Sequence, residues 1–179
     1  MEVVPPGASA DGISPHRTLI LGGARSGKST EAERRLAAEP HVTYVATARP
    51  ELGDFDAEWA ERVQAHRDRR PATWVTVETR DVAKVLDEAT GAVLVDCLSL
   101  WLGDAIEHDD YAERIDELVE AWRGTRARVT AVSNEVGSGV VPESASGRLF
   151  RDELGRLNAR IAAESDEVLL TVAGRVLQL

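Results

Sequence analysis

Gly22-Gly23-Ala24-Arg25-Ser26-Gly27-Lys28-Ser29 decides the reading of this chain. A glycine, four residues and then Gly-Lys-Ser is the pattern of a phosphate-binding loop. Glycines let the backbone curl until successive N–H groups point inward at phosphate oxygens. A helix that starts at such a loop turns its positive dipole end toward the same anion. The lysine, Lys28, is suited to the outer phosphates of a nucleoside triphosphate, and the Ser29 hydroxyl to a magnesium ion. The octet also stands where the chemistry needs it: Thr18-Leu19-Ile20-Leu21 reads as a strand before it, and residues 28–38 read as a helix after it.

Outward from the loop the alternation continues. Strands are expected over 18–22, 42–47, 73–77, 92–96, 128–133 and 167–172, and helices over 28–38, 54–69, 81–89, 104–123 and 147–164. In the fourth helix Ile115, Leu118, Val119 and Trp122 recur with the 3.6-residue period, opposite an acidic face of Glu113, Asp116, Glu117 and Glu120. Val93-Leu94-Val95 is apolar on both faces, as in a parallel strand covered by helices on each side. The expectation is an α/β fold, a mostly parallel sheet flanked by helices, with residues 17–179 as one domain.

Composition limits the function. The chain has 179 residues, 43% hydrophobic and 29% charged, a globular balance. Its net charge is −10, which repels a nucleic-acid backbone, so no nucleic-acid partner is expected. A phosphate ligand must therefore meet locally concentrated positive charge. A single cysteine, Cys97, excludes an internal disulfide framework. No apolar run approaches the roughly 18 residues of a membrane span, so no membrane insertion is expected. Residues 1–16 carry three prolines but no apolar signal-peptide core, and read as a disordered tail. The compartment expected by default is the cytoplasm.

Two further stretches carry chemistry. Ala92-Val93-Leu94-Val95-Asp96 is an aliphatic strand ending in a carboxylate, the form that holds the metal's water shell beside a phosphate loop. A capping aspartate is the plainer alternative. Cys97 beside it reads as a packed side chain. The second stretch, His66-Arg67-Asp68-Arg69-Arg70-Pro71, concentrates positive charge in an acidic protein. On a helix over 54–69, Arg62, His66, Arg69 and Arg70 share a face. Arginine forks suit phosphate oxygens. A histidine among them is a phosphate donor, a base or a nucleophile at phosphorus, or else an incidental member of a solvated face.

The motifs taken together resemble the bifunctional adenosylcobinamide kinase / adenosylcobinamide-phosphate guanylyltransferase family of cobalamin synthesis. They run in the family's order: the phosphate loop; Ala46-Thr47-Ala48; His66 to Pro71 with Trp74 and Glu78; and Val95-Asp96-Cys97-Leu98-Ser99-Leu100-Trp101. Asn134-Glu135-Val136-Gly137-Ser138-Gly139-Val140-Val141-Pro142 follows, then Arg148-Leu149-Phe150-Arg151-Asp152 with Gly155 and Asn158, then Asp166-Glu167-Val168 and Val172-Ala173-Gly174. The resemblance implies a single RecA-like P-loop NTPase domain and two reactions. ATP or GTP phosphorylates adenosylcobinamide, and GTP then gives GMP to adenosylcobinamide phosphate, yielding adenosylcobinamide-GDP. It implies that His66 carries GMP covalently, with Lys28 as the other catalytic residue. It maps nucleotide contacts onto Gly22, Gly23, Ala24, Arg25, Ser26, Gly27, Lys28, Ser29, Ala46, Thr47, Ala48, Arg67, Asp68, Arg69, Arg70, Glu78 and Asp96, with Mg²⁺ at Ser29 and Asp96. A homo-oligomer, a trimer in particular, is implied as well.

The chain departs from the family at Ala65, where some members have a second histidine, and at Val176, where proline is common. The loop Asn134–Gly139 reads either as a glycine-rich turn or as a substrate-side loop, since ligands of open α/β sheets sit at strand carboxyl ends. Two other readings stand beside the resemblance. One is a P-loop kinase of another small molecule with no covalent GMP. The other is a non-catalytic nucleotide-binding switch.

Overall fold

The computed structural model describes residues 14–47, 64 and 70–179. The expected helix over 54–69 falls, Gln64 apart, outside them, and so do His66, Arg67, Asp68, Arg69 and Ala48. The described elements are β1 (His16–Gly22), α1 (Lys28–Leu36), β2 (Val42–Ala46), β3 (Val75–Glu78), α2 (Val82–Glu88) and β4 (Ala92–Asp96). They continue with α3 (Leu98–Glu107), α4 (Tyr111–Gly124), β5 (Arg128–Asn134), α5 (Ala145–Ala163), β6 (Glu167–Val172) and β7 (Arg175–Gln178).

Among the described residues the strands form one seven-stranded sheet in the order β3-β2-β4-β5-β1-β6-β7. Every pairing is parallel except β6 with β7. The mostly parallel, helix-flanked sheet expected from the alternation is thus present. The inner strands β1, β2, β4 and β5 are buried on both faces, whereas the edge strands β3 and β7 are largely exposed. Leu19, Val45, Val93, Val95, Val129 and Ala131 join the core under α2, α3, α4 and α5. Ile20, Tyr44, Leu94, Val132 and Leu169 join the core under α1. Burying each large aliphatic side chain contributes about 1.5–3 kcal/mol before the opposing chain entropy.

The register places the functional edge. Gly22 lies opposite Asn134 and Thr171, and Ala46 opposite both Asp96 and Glu78. These residues end their parallel strands, or in the case of Thr171 stand one before the end, so all of them lie at the carboxyl edge of the sheet. That is where open α/β sheets bind ligands.

Three elements differ from the sequence expectation. The helix expected over 104–123 is two helices, α3 and α4, because the chain turns at Asp109, whose φ is 58°. Helix α3 begins at Leu98; Leu98, Trp101, Leu102 and Ala105 form its buried stripe, but Leu100, Gly103 and Ile106 between them are not polar and Ser99 and Asp104 are buried too, so no polar face marks the helix in the sequence. Strand β7 is absent from the expectation; it is a short exposed antiparallel strand returned by a turn with Ala173 and Gly174 at positive φ. His16, expected at the end of the tail, is the first residue of β1 and lies opposite Arg128.

Candidate active site

The phosphate loop leaves β1 at Gly22 and enters α1 at Lys28. Gly27, the residue before the helix, has a φ of 99°, a left-handed conformation that glycine adopts without strain. The Gly27 carbonyl then accepts the first helical bond from the Glu31 N–H at 2.9 Å. Gly22 is required for a different reason. A Cβ there would lie 2.4 Å from the Ser26 Oγ and 2.6 Å from the Thr171 backbone oxygen. Gly22→Ala is therefore expected to destabilise by about 1–3 kcal/mol, lowering Tm by roughly 3–10 °C, and to displace the loop from its nucleotide-binding shape. Calorimetry and a nucleotide-binding titration check this; an unchanged Tm and affinity would show that the loop relaxes freely.

The turn between β6 and β7 braces the loop from its other side. The Gly174 N–H donates to the Ser26 carbonyl at 2.9 Å. On the β5 side, the Glu135 N–H donates to the Gly22 carbonyl at 3.1 Å. The loop is thus held at both flanks before any ligand arrives, which lowers the ordering cost of binding. The Lys28 Nζ donates to the Gly23 carbonyl at 3.1 Å, so the lysine folds over the loop.

Ser29, in the first turn of α1, faces Asp96, the last residue of β4; its Oγ donates to the Asp96 Oδ1 at 3.5 Å. A hydroxyl and a carboxylate oxygen at this spacing are the hard donors that Mg²⁺ takes together with phosphates and water. The residues present fit that ion. Tyr44 lies on the other side of the carboxylate, donating its hydroxyl to Oδ2 at 2.5 Å. Its ionisation is pushed far above the ordinary range, first by burial and then by the Asp96 charge, so the hydroxyl remains a donor.

Thr47 follows β2 and is buried. Its Oγ1 donates to the Cys97 carbonyl at 2.7 Å and accepts from the Cys97 N–H at 2.9 Å, which pins the backbone just after Asp96. Cys97 itself is buried, and burial pushes its thiol up to about 11, so it stays protonated and is no nucleophile.

Arg70 lies across Tyr44, with its guanidinium carbon 3.3 Å from the ring centroid. Its Nη1 donates to the Thr76 Oγ1 at 3.0 Å. Arg70, Pro71, Ala72, Trp74, Thr76 and Glu78 line an open pocket of about 570 Å³. Arg70 and Glu78, a cation and an acid, therefore share one pocket wall, and Glu78 ends β3 on the same sheet edge as Asp96. Fused-ring bases with both acceptor and donor edges suit such a wall.

The loop after β5 is tied into the site by side chains. Asn158 Nδ2 donates to the Asn134 carbonyl at 3.0 Å, and the Asn134 N–H donates to the Ser99 Oγ at 2.7 Å. Arg148 donates to the carbonyls of Pro142 and Glu143, so it holds the far end of that loop. Asp166 accepts from the Arg17 backbone and guanidinium, joining the starts of β6 and β1 away from the site. The residue sequence reasoning missed is Tyr44. The signal was there: a hydroxyl-bearing ring inside Val42-Thr43-Tyr44-Val45-Ala46, a strand otherwise built for burial.

Comparison with known proteins agrees with this geometry. Residues 18–179 match the model of the family described as cobinamide kinase / cobinamide phosphate guanyltransferase. The chain is 45% identical over 168 residues to the bifunctional adenosylcobalamin biosynthesis protein CobP of Pseudomonas aeruginosa, covering 88% of this chain and 94% of that one. It is 40% identical over 176 residues to the bifunctional adenosylcobalamin biosynthesis protein CobU of Salmonella typhimurium, covering 87% and 95%. Among solved structures, the type III secretion ATPase EscN of enteropathogenic E. coli superposes with a TM-score of 0.52 at 12% identity, over 89% of this chain and 43% of that one. That likeness concerns the P-loop NTPase fold alone.

Proposed function

The chain belongs to the cobinamide kinase / cobinamide phosphate guanyltransferase family, and from that premise we propose that one site at the carboxyl edge serves both reactions, with His66 carrying GMP between them. The enzyme acts in adenosylcobalamin biosynthesis as kinase and guanylyltransferase. Readings as a kinase of an unrelated small molecule or as a switch protein are not favoured by this membership. In the kinase reaction the hydroxyl of adenosylcobinamide attacks the γ-phosphorus of ATP or GTP. The bond to the β-phosphate oxygen breaks, the diphosphate leaves, and the hydroxyl proton passes to water or a nearby base.

Guanylyl transfer has two in-line displacements. A neutral imidazole nitrogen of His66 attacks the α-phosphorus of GTP, and the bond to pyrophosphate breaks. A phosphate oxygen of adenosylcobinamide phosphate then attacks the same phosphorus, and the histidine leaves. Splitting one transfer in this way is the usual gain of covalent catalysis. Lys28 and the loop N–H groups stabilise charge on the outer phosphates in both reactions. Ser29 and Asp96 would hold Mg²⁺, whose charge favours departure of pyrophosphate. In this reading Arg67, Arg69 and Arg70 supply positive charge to the phosphoryl oxygens, and Glu78, Asp68, Ala46, Thr47 and Ala48 are the remaining nucleotide contacts.

The observation that carries this reading is the anchoring of Arg70 over Tyr44, whose hydroxyl holds Asp96. Arg70 stands four residues after His66, and four peptide units reach at most about 14 Å. The histidine segment therefore starts from a point tied directly to the phosphate-loop half of the site. Residues 17–179 form the catalytic domain in this reading, acting in the cytoplasm as a homo-oligomer, with a trimer the expected assembly.

Incubation with α-labelled GTP and Mg²⁺, followed by denaturing electrophoresis, tests it. Label that stays on the chain in alkali and is lost in acid is the expected result for a phosphoramidate. Absence of label under turnover conditions would remove the covalent step.

A further inference from the structure

Tyr44 touches both halves of the site, and neither the family description nor the sequence motifs give it a part. It stands in β2 and is 3% exposed. Its hydroxyl takes one oxygen of Asp96, while the other oxygen of the same carboxylate faces the Ser29 hydroxyl. A strand-end carboxylate otherwise rotates broadly about its last torsion. Tying Oδ2 fixes the plane and leaves Oδ1 directed at α1. The face of the same ring lies under the Arg70 guanidinium, within the distance at which a cation is held by aromatic charge distribution. Thr76 takes the edge of that guanidinium, so ring and hydroxyl together fix its position and plane.

Burial alone does not explain this residue. A phenylalanine would fill the same space in the core under α1, which it shares with Ile20, Ala32, Leu94 and Trp74. The hydroxyl adds a polar group whose removal from water must be compensated, and its acceptor is Asp96, the strand-end carboxylate that also faces Ser29 of the phosphate loop. We propose that Tyr44 is a positioning residue shared by the two half-sites: its hydroxyl aims the Asp96 carboxylate at the metal position beside Ser29, and its ring seats Arg70 for the guanine nucleotide. The inference rests on the reading of Asp96 and Arg70 given above.

Two variants separate the two contacts. Tyr44→Phe keeps the ring and removes the hydroxyl; Tyr44→Leu removes both. Binding is measured without turnover, using α,β-methylene-GTP and no cobinamide. Mn²⁺ affinity is read by electron paramagnetic resonance, and nucleotide affinity in EDTA by calorimetry. Tyr44→Phe is expected to weaken Mn²⁺ about tenfold, the scale of a lost hydrogen bond to a charged group, while metal-free nucleotide affinity stays within about twofold. Tyr44→Leu is expected to weaken metal-free nucleotide binding as well, by about fivefold.

Asp96→Asn and Arg70→Ala are the reference variants, and near-ultraviolet circular dichroism establishes that each protein is folded. A merely structural tyrosine would lower Tm without moving the Mn²⁺ affinity of the folded protein. If Asp96→Asn weakens Mn²⁺ and Tyr44→Phe does not, the positioning role is overturned while the metal assignment stands. If Arg70→Ala weakens nucleotide binding and Tyr44→Leu does not, the role of the ring is overturned. If neither reference variant has an effect, the underlying site reading fails and the inference fails with it. Should the leucine variant not fold, the phenylalanine variant decides the hydroxyl half alone.

Discussion

His66→Ala treated with GTP and Mg²⁺ is expected to acquire no GMP, with guanylyl transfer lower by at least about 10⁴-fold, the scale on which loss of a covalent nucleophile is felt. Cobinamide phosphorylation is expected to persist. The two reactions separate because the nucleophile is needed only at the α-phosphorus. The kinase reaction attacks the γ-phosphorus and takes its nucleophile from the substrate. A loss of kinase rate up to about tenfold is compatible with this, since an imidazole among arginines also helps to place the triphosphate. Mass spectrometry of wild type and variant, paired with both activity assays, gives the answer. An added mass of GMP on the variant, or parallel loss of both activities, would move the covalent step to another residue.

Lys28→Ala is expected to lower both activities together, by about 10²- to 10³-fold each. The lysine meets the outer phosphates of the same triphosphate in either reaction. Its removal takes a positive charge from a site in a chain whose net charge is −10. Loss of the exposed Nζ hydrogen bond to the Gly23 carbonyl should cost only about 0.5–1.5 kcal/mol of stability. Lys28→Met, with a similar length and no charge, should behave the same way. Steady-state kinetics with both substrates varied, beside a melting curve, checks it. Near-normal rates in a folded Lys28→Ala protein would take the outer phosphates away from this loop.

These expectations draw on different levels of the molecule. The phosphate loop is legible in sequence because its chemistry is local: backbone N–H groups, one lysine and one hydroxyl within eight consecutive residues. Asp96 is legible for a related reason, since an aliphatic run ending in a carboxylate is itself a local pattern. The parallel sheet follows from strands that are apolar on both faces, as in Val93-Leu94-Val95. Local pattern is weak where a helix has no polar face to contrast with its buried one. In α3 the stripe of Leu98, Trp101, Leu102 and Ala105 is interspersed with Leu100, Gly103 and Ile106, and the polar Ser99 and Asp104 are themselves buried. The division at Asp109 depends on a single positive φ, which no run of residue types announces.

The roles of Thr47 and Tyr44 belong to the same class. Thr47 stands in a nucleotide motif, yet its hydroxyl is taken up by the backbone of Cys97, fifty positions away. Tyr44 and Asp96 are fifty-two positions apart and meet only because β2 and β4 are neighbours with Ala46 opposite Asp96. Read one segment at a time, the residues already carry the chemistry available to this protein: the phosphate-binding loop, the strand-end carboxylate, the histidine among arginines and the α/β alternation. Tertiary structure brought the phosphate loop and the strand-end carboxylate to one sheet edge and supplied what holds them there. Strand order and register are long-range pairings, and the energy that selects them comes from burying both sheet faces at once, a property no single segment carries.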